Sequence, residues 1–382
     1  MKVAICGAGL RSTKVLNYLK HAMPEMTFVG YYDPQPSLLS DIFDPREIKR
    51  FESVEAMLSD ASPDLLFVGS PNHVHCEQIE LGLNAGVRVF TEKPVVTDLA
   101  QTWRLVELLR EYGPEKCMVG LVLRYSPQII DLQDALSEGL LGDIVSMEAN
   151  GHIEPSHGAF FMRDWRRYRQ YSGGYMLEKC VHDIDLYNLI TNSRPKKVAS
   201  FGGRNSFIPK NTPTHTDELE LVHSKTSIWQ SMNDPYGSDA DIVDHQTALL
   251  SFENKVSMTF HTNLNIPDQQ RRFMVAGSKG MAEGDFKRGF MKITASPSGK
   301  TLFGCDYKAI PEANIDHYGA DAKMARDIAC YLRDGSESLP VSIVDALEAG
   351  IAAMAIDQAR ESGEVVDLTK TWAQFDSYRL RD

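Results

Sequence analysis

Nothing in this chain of 382 residues supplies the ~18 to 20 uninterrupted apolar residues that a membrane-crossing helix needs, so a transmembrane protein is not expected. Basic residues are outnumbered: 40 Lys and Arg stand against 52 Asp and Glu, a formal charge of −12. Nucleic acid and anionic membrane surfaces call for a dense basic face that displaces counterions, and neither partner is expected here. Cysteine is scarce and unpatterned. The six residues Cys6, Cys76, Cys117, Cys180, Cys305 and Cys330 show no CxxC spacing and mostly sit in apolar runs. They read as small reduced core residues, against a disulfide frame or a zinc site. Internal repeats, low-complexity blocks and a signal-peptide pattern are missing too, and the expected location is the cytoplasm.

What is there has the balance of a globular protein, with 43% hydrophobic and 24% charged residues. The length suits two domains better than one. Up to about residue 123, short apolar runs at 3–6, 28–32, 65–69, 87–91 and 118–121 alternate with helical periodicity at 13–21, 54–58, 76–85 and 99–111. That alternation is the mark of crossover units on a doubly wound parallel sheet. Beyond Arg124 the pattern changes. A helix is expected over 128–137, a strand over 144–151 and a helix over 176–190, then antiparallel strands over 248–252, 256–262 and 272–276. Residues 205–237 read as a surface excursion or subunit contact, 343–361 as a helix and 369–382 as a tail.

The first strand runs into Gly7-Ala8-Gly9-Leu10-Arg11-Ser12. The first glycine permits a tight turn, and the second lets main chain approach a pyrophosphate seated on a helix N-terminus. Ser12 stands where Gly or Ala is usual and is small enough to keep helix and strand close. Asp33 follows the second strand, 33 − 9 = 24 residues past the second glycine, where a carboxylate accepts from the adenosine ribose hydroxyls and repels the extra phosphate of NADP. Pro34 rather than an arginine follows it, which favours NAD. Ser70-Pro71-Asn72-His73-Val74-His75 lies at the carboxyl end of the third strand, where Ser70, Asn72 and His75 are candidates for the nicotinamide ribose. His73, His75 and Cys76 have no matching acidic or cysteine partner nearby in sequence, and no metal is expected.

Downstream, Gly173-Gly174 opens a stretch that sets Glu178 and His182 four residues apart on one helical face, with Asp185 three beyond. These pieces, taken with Glu92-Lys93-Pro94, Arg124-Tyr125 and Trp165-Arg166, resemble the Gfo/Idh/MocA family of glucose-fructose oxidoreductase, inositol dehydrogenase and rhizopine-catabolism proteins. The resemblance spans nearly the whole chain. It implies an NAD-binding Rossmann domain over 1–123 and a C-terminal α+β substrate and oligomerisation domain over 124–382. The latter is built on a largely antiparallel open-faced sheet, with room for its last segment to pack back on the first domain. Homodimers or homotetramers are implied through that sheet.

The resemblance also implies that Lys93 reaches both nicotinamide ribose and substrate, often after a cis peptide at the following proline. Glu92, Leu10 and Arg11 belong with the cofactor, as do Trp165 and Arg166. Arg124, Tyr125, Arg163, Lys179 and Asp185 belong with the substrate. The family's downstream pair is usually Asp-x-x-x-His; here the acid is Glu178, one methylene longer. Glu178 is expected either to orient the imidazole or to bind a neighbouring substrate hydroxyl. Residues 161–169 hold Arg163, Arg166, Arg167 and Arg169, candidates for an anionic substituent, and Trp165, a candidate to stack on a sugar or flank the nicotinamide.

Oxidising a secondary alcohol needs a base for the hydroxyl proton while hydride leaves carbon. A histidine with pKa near ~6.5 is already mostly neutral at physiological pH, whereas a lysine near ~10.4 needs a shift of about 3 units, roughly 4 kcal/mol. His182 is therefore the expected base, and Lys93 the cation that orients the hydroxyl. The leading reading is an NAD-dependent dehydrogenase or reductase of a sugar, cyclitol or derivative. The alternative is an NAD-dependent glycosidase that oxidises transiently, eliminates, hydrates and reduces again. A binding protein that kept the fold without chemistry would account for the glycines but not for Lys93 together with His182.

Overall fold

The computed structural model describes residues 1–34, 48–224, 234–311, 315–335 and 338–381. The chain divides into two compact units, one of Met1–Tyr125, Gly319–Gly350 and Trp372–Asp382, the other of Ser126–Tyr318 and Ile351–Thr371.

The first unit opens with β1 (Lys2–Cys6), α1 (Leu10–Ala22), β2 (Thr27–Tyr32), α2 (Val54–Ala61), β3 (Leu65–Val68), α3 (His75–Asn84), β4 (Arg88–Thr91), α4 (Leu99–Tyr112) and β5 (Cys117–Val119). All five strands pair in parallel in the order β2-β1-β3-β4-β5. The order reverses between β1 and β3, and the crevice outside their carboxyl ends is where such sheets bind ligands. Val3, Ala4, Ile5 and Cys6 are fully buried, as are Leu65, Leu66, Phe67 and Val68. A parallel sheet covered on both faces has no solvent side, so its strands run apolar without alternation. Ser53 caps α2 by accepting from the Ala56 N–H, and Asp98 caps α4 by accepting from Gln101, which places both helix starts.

The second unit continues with α5 (Pro127–Ser137), β6 (Ile144–His152), α6 (Pro155–Phe161), α7 (Arg169–Ser172), α8 (Tyr175–Thr191), β7 (Pro195–Gly203), α9 (Thr216–His223), β8 (His245–Phe252), β9 (Ser257–Asn263), β10 (Arg272–Gly277), β11 (Gly280–Asp285), β12 (Phe290–Ala295) and β13 (Thr301–Asp306). Helix α10 (Ala320–Asp334) belongs to the first unit, and α11 (Ile343–Ser362) begins in the first and ends in the second. Strand β14 (Val366–Asp367) and α12 (Thr369–Asp376) follow. Nine strands form one sheet in the order β13-β12-β11-β10-β6-β9-β8-β7-β14. The pairing is antiparallel throughout except between β6 and β9, which run parallel.

Along β8 and β9 buried and exposed residues alternate, and Ala248, Leu250, Phe252, Met258 and Phe260 point to the covered face. Helix α8 lies on that face, with Tyr187 6.1 Å from the Phe260 ring. It is buried nearly all round rather than along one stripe, as a helix enclosed on every side must be. Its Asp183 accepts two hydrogen bonds from Arg271, at 2.6 and 2.7 Å, a forked pair between helix and sheet.

Several elements differ from expectation. The excursion over 205–237 contains α9, its start tied down by Asp244, which accepts from the N–H groups of Asn205, Ser206 and Phe207; residues 225–233 lie outside the described residues. The first part of the stretch expected as a tail, Thr369–Asp376, is helical, because Trp372 and Phe375 share a face and are buried, their rings 6.3 Å apart. Helix α10, absent from the expected elements, buries a stripe of Met324, Ala325, Ile328, Ala329 and Leu332 at helical spacing. Four of the six cysteines are buried, Cys305 is half-buried and Cys330 exposed. No helix among the described residues is long and apolar enough to cross a membrane.

With Trp372 only 1% exposed, Trp372→Ala is expected to cost about 3 to 5 kcal/mol of stability. Urea unfolding followed by circular dichroism checks it, and a loss under about 1 kcal/mol would return the segment to the status of a tail.

Candidate active site

In the first unit, four turns converge at the carboxyl ends of the parallel strands. Gly7 takes a left-handed φ of +83°, and a Cβ there would collide with the main chain of Ser70, so both its conformation and its neighbour require glycine. Gly9 precedes α1, and the space beside its Cα is open. Ser12 is fully buried and its Oγ donates to the Gly69 carbonyl at 3.3 Å, holding α1 against the turn after β3.

The start of α1 carries neither a side-chain cap nor an acidic residue in its first turn. An uncapped helix start with glycine main chain before it fits the diphosphate of a dinucleotide. Asp33 is 8% exposed and its Oδ2 accepts from the Ala8 N–H at 2.7 Å. The carboxylate is thereby fixed beside the glycine turn, where a ribose would reach it. Its own carbonyl accepts two bonds from Arg50, at 3.1 and 2.7 Å. Arg50 lies 17 residues further on and was missed, since no local spacing connects it to Asp33.

Ser70 donates to Gln78 Oε1 at 2.6 Å. His75, expected to touch cofactor, instead turns both ring nitrogens to main-chain carbonyls: Nε2 lies 2.7 Å from Ser70 O and Nδ1 2.8 Å from Pro94 O. It braces the turn after β3 against the turn after β4. Asn72 is buried alongside. The Lys93–Pro94 peptide is cis, as the resemblance implied. Lys93 itself is half-buried.

The Arg11 guanidinium pairs with two carboxylates of its own unit. Nε donates to Glu92 at 2.9 Å and Nη1 to Asp321 at 2.5 Å. Leu10, by contrast, is largely exposed at the helix start. Arg124, expected to meet substrate, is buried, donates to the Pro340 carbonyl at 2.9 Å and stands 3.4 Å from Asp345. Burial alone would push the Asp345 carboxyl up, but Arg124, the Ser342 N–H and Arg381 together hold it below the ordinary carboxylate value. The Tyr125 hydroxyl is enclosed with no hydrogen-bond partner among the described residues; burial, with Asp327, pushes the phenol up.

In the second unit, Gly173 and Gly174 both take positive φ ahead of α8. A Cβ on Gly174 would stand 2.7 Å from the Asp357 carboxylate. The helix then presents Glu178 and, one turn on, His182. Glu178 is buried and accepts from Arg166 Nε at 3.2 Å, while that guanidinium lies 4.2 Å over the Trp165 ring and 4.7 Å over Phe160. The extra methylene of Glu178 thus reaches Arg166, an arrangement the ExxxH spacing alone did not reveal. Lys179 is half-buried and Asp185 buried on the same helix.

Three of the four arginines of 161–169 are paired with carboxylates, Arg166 with Glu178 among them. Arg167 meets Asp239 at 2.8 Å, Arg169 pairs with Glu361, and the buried Arg163 donates to the Ala159 carbonyl at 3.2 Å. Burial lowers the Arg163 guanidinium from its ordinary value against the opposing pull of Asp164. Among the described residues no group of three or more His, Cys, Asp or Glu side chains is placed to hold a metal ion.

Residues 1–121 match the family described as "Oxidoreductase family, NAD-binding Rossmann fold" and residues 129–283 match the "GFO/IDH/MocA C-terminal domain". The chain belongs to the Gfo/Idh/MocA family, and its first unit carries an NAD-binding Rossmann domain.

Among its relatives, the protein YteT of Bacillus subtilis (strain 168), named an oxidoreductase, is 25% identical over 61% of this chain and 62% of its own length. The dTDP-3,4-didehydro-2,6-dideoxy-alpha-D-glucose 3-reductase of Actinomadura kijaniata is 33% identical over 35% of this chain and 39% of its own. The chain therefore spans less than two thirds of the length of these curated relatives. A levoglucosan dehydrogenase, solved with NADH and levoglucosan, shares the fold at a TM-score of 0.75 and 15% identity, covering 97% of this chain and 99% of that one.

Replacing Asp33 by Ala is expected to weaken NAD binding by about 1.5 to 3 kcal/mol, on the order of 10- to 10²-fold, since a charged acceptor is lost. Calorimetric titration measures it. Unchanged affinity would restrict Asp33 to holding the Ala8 turn.

Proposed function

We propose that this protein is an NAD-dependent dehydrogenase or reductase acting on a secondary hydroxyl or ketone of a sugar, cyclitol or sugar derivative. The observation that carries this reading is the convergence of the glycine turn, the Ser70 turn and the Lys93–Pro94 turn at the uncapped start of α1. Support for a carbohydrate comes from the names of the sugar-nucleotide reductase and levoglucosan dehydrogenase relatives. The pairing of Arg166, Arg167 and Arg169 with carboxylates favours a neutral substrate over an anionic one.

Bound NAD supplies the hydride acceptor. Gly7 and Gly9 let main chain approach the diphosphate, and Asp33 accepts from the ribose. His182 takes the hydroxyl proton, and the Lys93 ammonium orients that hydroxyl and offsets the negative charge growing on its oxygen. Glu178, held by Arg166, presents a fixed carboxylate edge to a neighbouring hydroxyl. Lys93→Met and His182→Ala are each expected to lower turnover by at least ~10²-fold with folding and NAD affinity nearly intact.

Reaction class is tested by following nicotinamide absorbance with a panel of sugars and polyols and with aryl glycosides. Stoichiometric NADH is expected from a suitable sugar or polyol. Aglycone release without net nicotinamide change, and with no free sugar oxidised, would overturn the dehydrogenase in favour of the redox-neutral glycosidase.

We further propose a homodimer or homotetramer joined through the uncovered face of the nine-stranded sheet, where Phe201 is 71% and Leu249 52% exposed on adjacent strands. Light scattering at micromolar concentration is expected to report an oligomer, and Phe201→Glu/Leu249→Lys to dissociate it. A monomeric parent protein would remove the proposal.

A further inference from the structure

Arg11 is the second residue of α1, the helix whose start faces the cofactor, yet its guanidinium bridges two carboxylates from distant parts of the first unit. One is Glu92, the residue immediately before Lys93. The other is Asp321, in the first turn of α10. Both carboxylates are buried. Glu92 is also confined from behind: a Cβ on Gly120 would stand 3.0 Å from its carboxylate. Burial disfavours the charged guanidinium, but Glu92 and Asp321 outweigh it and the Arg11 pKa is raised. One planar fork therefore joins α1, the turn that presents Lys93, and α10.

We propose that Arg11 is a positioning residue for Lys93. The proposal rests on the role given to Lys93 above. Glu92 N–H donates to the Val68 carbonyl at 2.8 Å, which fixes its main chain to the end of β3, and Arg11 fixes its side chain. With both ends of Glu92 held, Lys93 projects from a stationary backbone. Without the guanidinium, two buried carboxylates lose their shared partner, and the flexible ammonium one residue away is drawn to them and off the substrate. Lysine at position 11 would restore a charge but not a fork able to serve both oxygens at once.

The test compares Arg11→Met, Arg11→Lys, Lys93→Met and the double variant Arg11→Met/Lys93→Met in the full chain. Arg11→Met is expected to lower kcat by ~10- to ~10²-fold, as a displacement of about 1 Å does. NAD affinity by calorimetry should stay within about 3-fold, a change under 1 kcal/mol. Arg11→Lys should recover part of the loss. If Arg11 acts through Lys93, Arg11→Met has no further effect in the Lys93→Met background.

A crystal structure of Arg11→Met with NAD is expected to place Lys93 Nζ more than about 1 Å from its parent position. Multiplying effects in the double variant, or an unmoved Nζ, would overturn the proposal. Near-normal turnover of Lys93→Met alone would instead remove the catalytic role of Lys93, and the crystallographic displacement then decides the positioning role by itself. Should Arg11→Met fail to fold, Arg11→Met/Glu92→Gln/Asp321→Asn, which buries no unpaired charge, is compared with Glu92→Gln/Asp321→Asn. An Nζ displaced in the triple variant relative to the double supports the proposal, because Arg11 then no longer holds residue 92; equal Lys93 positions overturn it.

Discussion

The first unit depends on how closely α1 lies to the turn after β3. Gly7 leaves no room for a Cβ against Ser70, Gly69 leaves none against Ser12, and Ser12 donates across the gap to the Gly69 carbonyl. That contact brings the N–H groups at the start of α1 over the end of the sheet where a diphosphate can use them. The other turns are hung from it. Ser70 leads by way of His75 to Pro94, and the Ala8 N–H leads to Asp33. A side chain one carbon larger at Gly7 or Gly69 would push all of these apart together.

The second unit solves a different problem, that of carrying polar groups on a helix buried nearly all round. A helix enclosed on every side cannot send a carboxylate to water, so each of its acids needs a partner brought to it. Asp183 receives the Arg271 fork from the sheet and Glu178 receives Arg166 from the segment before α7. The Glu178 pair lies one helical turn before His182, so a structural neutralisation and a candidate catalytic group share one stretch of helix. This is how an ExxxH spacing that resembles an exposed ion pair comes to be placed inside the protein.

What could be read in advance followed the reach of each interaction along the chain. The glycine turn, Asp33 after β2 and the apolar parallel strands are local patterns, and the structure carries each of them where expected. Arg11 falls in the glycine-turn motif that the resemblance places with the cofactor, and nothing near residue 11 hints at Asp321, which folding alone brings to it. The partners of Arg167 and Arg169 are hidden for the same reason, lying far along the chain at Asp239 and Glu361. Helix α10 carries the same kind of local signal, Met324, Ala325, Ile328, Ala329 and Leu332 recurring at helical spacing, although it is not among the elements expected above. Trp372 and Phe375 did carry a helical spacing, but the segment is short and polar around them. The parallel step between β6 and β9 has no local signal, since parallel and antiparallel strands can share the same alternation.

The discontinuity of the first unit has a consequence for synthesis. Its parallel sheet and cofactor turns are complete by Tyr125, but α10, which packs along α1, begins only after Gly319. Translation of the intervening 319 − 125 = 194 residues, at ~5 to 20 per second, takes roughly 10 to 40 s. During that interval α1 waits on the ribosome with its α10-facing side uncovered and Arg11 without Asp321. The first unit is thus begun by one stretch of chain and finished by two others far downstream of it, Gly319–Gly350 and Trp372–Asp382.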